Sequence, residues 1–223
     1  MGVRRSVAVA AGAKLAPTVA SGYVRVVLDK AIDGIGPLRS AAASAETKLV
    51  DADGDVEKAI HGLLRLHTKL AGVQGFVTNL GGLATAAVAV PANVAGVTIV
   101  QCHLVAGIAH LRGYDLEDPR VRNAILACLL GEDAVKKLVK SHRLPSSPMA
   151  LATSPVHDPV LDETLSKEVT GELVGRTAGR RAITLVARRV PFIGGAVGGS
   201  SDAWATWQIG SFAAEELKDR RRP

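Results

Sequence analysis

Between Leu70 and Leu111 the chain carries no Asp, Glu, Lys or Arg, an uncharged run of 42 residues. A second run, Val190–Ala214, holds 25 residues and one charge, Asp202. An amphipathic surface helix turns a polar face to water within every two turns, so neither run reads as one. Such segments must lie in the middle of a core, cross a membrane, or rest on its surface. A spanning helix needs about 20 consecutive apolar residues. Ala92–Leu111 is long enough but contains Asn93, Thr98, Gln101, His103 and His110, and Asp202 falls near the middle of the second run. Ionisable groups at such depth cost several kcal/mol unless they face protein or water.

The rest of the chain is organised around these runs. Short helices are expected over Tyr23–Ile32 and Leu38–Val50, divided by the turn Asp33-Gly34-Ile35-Gly36-Pro37. Acidic residues at Asp51–Asp55 favour the start of a helix over Val56–Leu70, because the helix dipole attracts negative charge there. The same residues imitate a calcium loop. The match fails where Val56 replaces the required glycine and Gly62 the required glutamate. Pro91 predicts two helices, or one strongly bent helix, ending at Gly113. Asp118-Pro119 and Asp158-Pro159 each read as a cap followed by a proline at the first helical position. The first of these helices reaches Gly131, and a short one over Glu132–His142 follows. Leu144–Pro155, with three prolines and three serines, reads as a loop. The helix after Asp158 is expected to break at Gly171 or Gly179, and a last helix covers Ser201–Lys218. No strand-period alternation occurs. The expectation is all-α: a compact multi-helix bundle around two central Gly/Ala-rich apolar helical hairpins. Residues 1–54 form a helical extension, 55–218 the main domain with a Pro/Ser loop at 144–157, and 219–223 a basic tail.

Only seven residues are aromatic in a chain that is 48% hydrophobic, so small residues supply the apolar mass. Gly194 with Gly198, and Gly195 with Gly199, form two small-xxx-small pairs that let another helix approach closely. The formal charge of +6 is uneven: Arg176, Arg180, Arg181, Arg188 and Arg189 precede the second run with no acid after Glu172 until Asp202. Arginines so placed suit an anionic lipid surface. Cys102 and Cys128 lie in apolar helical runs and read as small buried hydrophobes of a reducing compartment. Met1–Ala13 imitates a signal peptide, but Lys14 ends its apolar part after seven residues, and the expectation is a cytoplasmic chain. The same start fits a myristoylation pattern too short to carry weight.

Little catalytic chemistry is visible. No P-loop, no His-Glu-x-x-His and no Cys-x-x-Cys occurs, and Gly198-Gly199-Ser200-Ser201-Asp202 lacks the closing glycine of a nucleophile elbow. His103 and His110 stand two helical turns apart, about 10 Å, too far to share a zinc ion. His110 and Asp115 have the His-x4-Asp spacing of glycerolipid acyltransferases, in which the Asp orients a general-base His. The downstream phosphate-binding motif of those enzymes is missing, so His110 as a helix end and Asp115 as a turn cap is the better account. No catalytic residue, metal or cofactor is assigned. Nucleic-acid binding finds no helix-turn-helix and no aromatic platform. Gln101, His103, His110 and Asp202 are expected to form a buried polar cluster, since buried polar groups need partners.

Gly75–Thr85, Pro91, Gln101 and Ala109–Asp115 together resemble the first signature of the EcsC protein family. Val190–Gly199 with Asp202 is similar to its second. The resemblance implies a bacterial, helical protein connected with membrane transport or secretion, and it brings no reaction and no site residues. The reading is therefore a non-enzymatic protein peripheral to the cytoplasmic membrane face, with a membrane surface or membrane protein as partner. Gln101, His103, His110, Asp115 and Asp202 are its candidate interaction residues. A soluble module for an apolar ligand and an enzyme using His110 and Asp115 are the alternatives.

Overall fold

The computed structural model describes residues 22, 24–80, 86–187 and 193–220. Every regular element among them is a helix: α1 over residues 24–33, α2 Ala41–Asp51, α3 Val56–Leu80, α4 Ala86–Leu111, α5 Pro119–Leu130, α6 Glu132–Lys140, α7 Pro148–Ala152, α8 Pro159–Ala187 and α9 Ile193–Glu216. The fold is all-α, as the sequence predicts.

Side-chain caps mark where α2, α3, α5 and α8 begin. Ser40 accepts from the Ala43 N–H at 3.2 Å before α2, and Asp55 from the Lys58 N–H at 3.0 Å before α3. Asp118 accepts from Arg120 N–H at 2.8 Å and Asp158 from Val160 N–H at 2.9 Å, each ahead of the expected proline. Each such acceptor satisfies one amide that the helix leaves without a partner. Gly34, at φ +93°, turns the chain from α1 toward α2. A Cβ there would lie 2.5 Å from the Leu38 carbonyl oxygen, so only glycine fits.

The structure settles or moves several boundaries of the sequence reading. α4 is one helix through Pro91, the single-helix alternative of the two; about one turn precedes the proline, so a single missing hydrogen bond falls near the end. α8 continues through Gly171 and Gly179, because an interior glycine costs only about 1 kcal/mol and does not stop a long helix. Residues 144–157 are not loop throughout: Pro148 starts the short helix α7, whose Pro148, Leu151 and Ala152 are buried, and α7 packs on α5. Five residues are too few to show a helical period. α9 also begins earlier than expected, so Gly194, Gly195, Gly198 and Gly199 lie within it. What surrounds those glycines falls outside the described residues.

α4 is the central helix. It contacts α2, α3, α5 and α9, and every residue from Gln101 to Ala109 is buried. A helix surrounded on all sides must be apolar all round, which accounts for the lack of charge in its described part, residues 96–111. α3 lies antiparallel to both α4 and α9: Gly107 faces Leu63, while Gly210 faces Leu64 and Leu104. At the shared end Arg112, nearly buried, forks onto Glu57 at 2.5 and 3.2 Å and donates to the Ala214 carbonyl at 3.3 Å. The Arg220 N–H returns to the Arg112 carbonyl at 2.8 Å, and its guanidinium lies over the Tyr114 ring. The first part of the C-terminal tail is thus tied to the end of α4. Among the described residues no helix is long and apolar enough to cross a membrane.

A Cβ on Gly210 would stand 2.6 Å from Leu104 Cδ2 and closer still to Leu64 Cδ2. One on Gly107 would meet Leu63 at 3.1 Å, a contact that a small shift relieves. Gly210→Ala is therefore expected to destabilise the fold by about 1–3 kcal/mol through overpacking, and Gly107→Ala by less. Urea midpoints of the two variants check this order, and equal midpoints would contradict it.

Candidate functional site

The uncharged run still has to place its polar residues, and the structure does so between helices. Thr98, Gln101 and His103 of α4, His67 of α3, and Asp202 and Thr206 of α9 are all at most 3% exposed. Thr98 and Gln101 are one turn apart, as are Asp202 and Thr206. Gln101 Nε2 donates to Thr206 Oγ1 at 3.2 Å and joins α4 to α9. Such a bond inside an apolar core fixes the register of two helices, because breaking it leaves buried polar groups without partners.

His103 faces the other way, toward α2 and α3. His67 Nδ1 lies 2.8 Å from the Leu63 carbonyl, His67 Nε2 lies 2.8 Å from His103 Nδ1, and His103 Nε2 lies 2.9 Å from the Arg39 carbonyl. Carbonyl oxygens only accept, so a full set of three hydrogen bonds needs a proton on each outer nitrogen and a third between the rings. Two neutral imidazoles hold two. Ser44 Oγ lies 3.4 Å from His103 Nε2 and adds a hydroxyl beside the pair. Burial opposes a third proton: it lowers the pKa of His103 and takes that of His67 down to about 4, against the raising effect of the carbonyl contacts.

His110 leaves this interior. Its Nε2 meets Glu46 Oε1 of α2 at 2.6 Å, with the imidazole only partly buried. The carboxylate beside His110 is therefore that of Glu46, while Asp115 accepts from the Glu117 N–H at 2.9 Å in the turn after α4. His110, Asp115, Tyr114 and Asp33 line an open groove of about 630 Å³ between the α1–α2 turn and the end of α4. The expected cluster of four thus divides. Gln101 joins α9, His103 joins His67, Asp202 is fully buried one turn from Thr206, and His110 with Asp115 borders the surface groove.

Of the basic candidates, Arg176, Arg180 and Arg181 lie in α8, whereas Arg188 and Arg189 fall outside the described residues. Cys102 and Cys128 are buried free thiols, and burial pushes the Cys102 thiol up to about 12, far from a reactive thiolate. Among the described residues no group of three or more His, Cys, Asp or Glu side chains could hold a metal ion.

Two features escape sequence reasoning. His67 stands on the apolar face of α3, three and four residues after Leu64 and Leu63, a spacing that signals its burial. Trp204 and Trp207 are the opposite case. They sit inside an apolar run, yet they are 59% and 45% exposed and stacked on each other with ring centroids 5.3 Å apart. Trp207 also lines a groove of about 530 Å³ between the start of α6 and α9.

The EcsC protein family matches this chain over residues 54–221. The chain belongs to the EcsC family. The match begins just before α3 and takes in α4, α9 and the Arg112 junction, so the helices that carry the buried polar residues are the family's own. α1, α2 and the turn between them, which supply Arg39, Ser44 and Glu46, precede it. No curated protein and no solved structure matches the chain.

The lowered pKa of His67 has a definite sign for stability. The unfolded chain takes up the proton near pH 6.5 and the folded chain only near 4, so acid favours unfolding across that window. The unfolding free energy should fall by up to about 1.4 kcal/mol per pH unit from this histidine as pH drops from 6.5 to 4. His67→Gln cannot titrate and should flatten the slope. Denaturant midpoints measured from pH 7 to pH 4 read it, and parallel profiles for both proteins would refute the assignment.

Proposed function

We propose that this EcsC-family protein is a non-enzymatic accessory protein that binds a membrane protein at the cytoplasmic membrane face, in the service of transport or secretion. One observation carries the reading. In a chain with seven aromatic residues, both tryptophans stand side by side on the exposed face of α9. Large amphipathic rings on a surface are what interfaces use, since they bury much area at little cost in side-chain freedom. Family membership and the five arginines from Arg176 to Arg189 support the membrane locale, as they suit an anionic cytoplasmic leaflet.

The surroundings of His110 and Asp115 support the non-enzymatic reading. His110 is held by a half-exposed carboxylate, and Asp115 serves a turn. A role for His110 and Asp115 as an acyltransferase pair would need Asp115 to orient the imidazole, the position that Glu46 takes here.

Fractionation in the source organism tests the proposal. The wild-type chain is expected to sediment with membranes, and Trp204→Ala/Trp207→Ala, changed only at exposed positions, to shift to the supernatant while keeping its thermal midpoint. His110→Ala is expected to leave the distribution unchanged. A wild-type chain found wholly in the supernatant and ignoring anionic vesicles in low salt would overturn the reading.

A further inference from the structure

The groove beside Trp207 has a chemistry of its own. Its rim brings together carboxylates from three helices: Glu132 and Asp133 of α6, Glu172 of α8 and Glu215 of α9. Two acids at the start of α6 are the ordinary complement of a helix dipole. That does not account for Glu172 and Glu215, which come from other helices to the same place. Lys136 offsets Glu132, at 2.5 Å, and both side chains are more than half exposed. The concentration of acid is notable on a chain of net charge +6. The floor is apolar, with Leu130, Ile209 and Phe212 beneath, and the Trp204–Trp207 stack stands at the edge.

Carboxylates around an apolar floor, with indole faces beside them, suit one kind of guest: a Lys/Arg-rich amphipathic segment. Its cations pair with the rim and lie over the indole rings, whose faces carry negative potential, while its apolar residues cover the floor. A volume of about 530 Å³ takes a few side chains rather than a folded domain. Anionic lipid would be repelled by the same rim, so the groove favours a protein segment over a bilayer. Cytoplasmic loops of membrane proteins carry their Lys and Arg close to the membrane.

We infer that the α6–α9 groove docks a basic, amphipathic juxtamembrane segment of a membrane protein, held by Asp133, Glu172, Glu215 and the two tryptophans. The inference deepens the functional reading above and rests on it for the source of the segment.

The experiment uses the full chain and its own fluorescence, since the sequence has two tryptophans, Trp207 lines the groove and Trp204 is stacked on it. The probe is a synthetic helical peptide of Lys, Arg and Leu, with a control in which Glu replaces every Lys and Arg. The basic peptide is expected to change tryptophan emission saturably, more weakly at high salt, and the acidic control to leave it unchanged. Asp133→Asn/Glu215→Gln, both at exposed positions, is expected to weaken binding about tenfold with unchanged circular dichroism. No response to the basic peptide, or an equal response in the double variant, would overturn the inference. So would a response to phosphatidylglycerol vesicles in place of the peptide. Membrane sedimentation without peptide binding removes the groove and spares the accessory role. Peptide binding by a chain that never sediments keeps the groove and removes the membrane source.

Discussion

Where α9 crosses α3 and α4, residue 210 has no side chain, and Leu64 and Leu104 fill the space that one would take. That close approach sets the depth at which α9 sits, and much else follows from it. One turn toward the start of α9, Thr206 comes within reach of Gln101, and one turn further Asp202 is fully enclosed. Toward its end, the Ala214 carbonyl meets the Arg112 guanidinium that also holds Glu57. A bulkier residue at the crossing would lift the helix off all of these partners at once, because packed interiors have no slack to absorb it.

The scarcity of aromatic residues follows from the same geometry. Helices that approach at glycine and alanine need neighbours that are small or slender, and the core is correspondingly built of Ala, Val, Leu and Ile. Uncharged length alone suggests lipid, but in the described part of the run each polar residue of α4 from Thr98 to His103 is buried against another helix, and the hydrogen bonds of Gln101 and His103 cross to α9, α3 and the α1–α2 turn. The buried histidines show the cost of this solution, since their three contacts call for one proton more than two neutral rings carry.

Much of the fold was legible residue by residue. Asp118-Pro119 and Asp158-Pro159 marked helix starts because a carboxylate acceptor and a fixed φ are local properties, independent of what packs outside. Gly34 and Gly113 marked helix ends for the same reason, both having positive φ. Gly171 and Gly179 misled, because a local penalty of about 1 kcal/mol is overridden when a long helix gains from staying whole. α7 was illegible: its five residues are helical through burial of Pro148 and Leu151 against α5, a contact that no short stretch of sequence announces. The candidate site was half legible. Gln101, His103 and Asp202 stood out as polar residues in apolar surroundings, yet His67 and Glu46, which decide what His103 and His110 do, lie 36 and 64 residues away.

By itself the sequence determined an all-α fold, a long uncharged helical stretch, the positions of several caps and membership of the EcsC family, since these depend on composition, local geometry and ordered motifs. Only the tertiary structure decided which polar residues meet, that the His-x4-Asp pair is divided between Glu46 and a turn, and that two tryptophans of an apolar run face outward beside a ring of carboxylates. Hydrophobicity along a chain reports how much must be buried. Which side of a helix faces its neighbours is settled by the helices that pack against it, and those arrive from distant parts of the sequence.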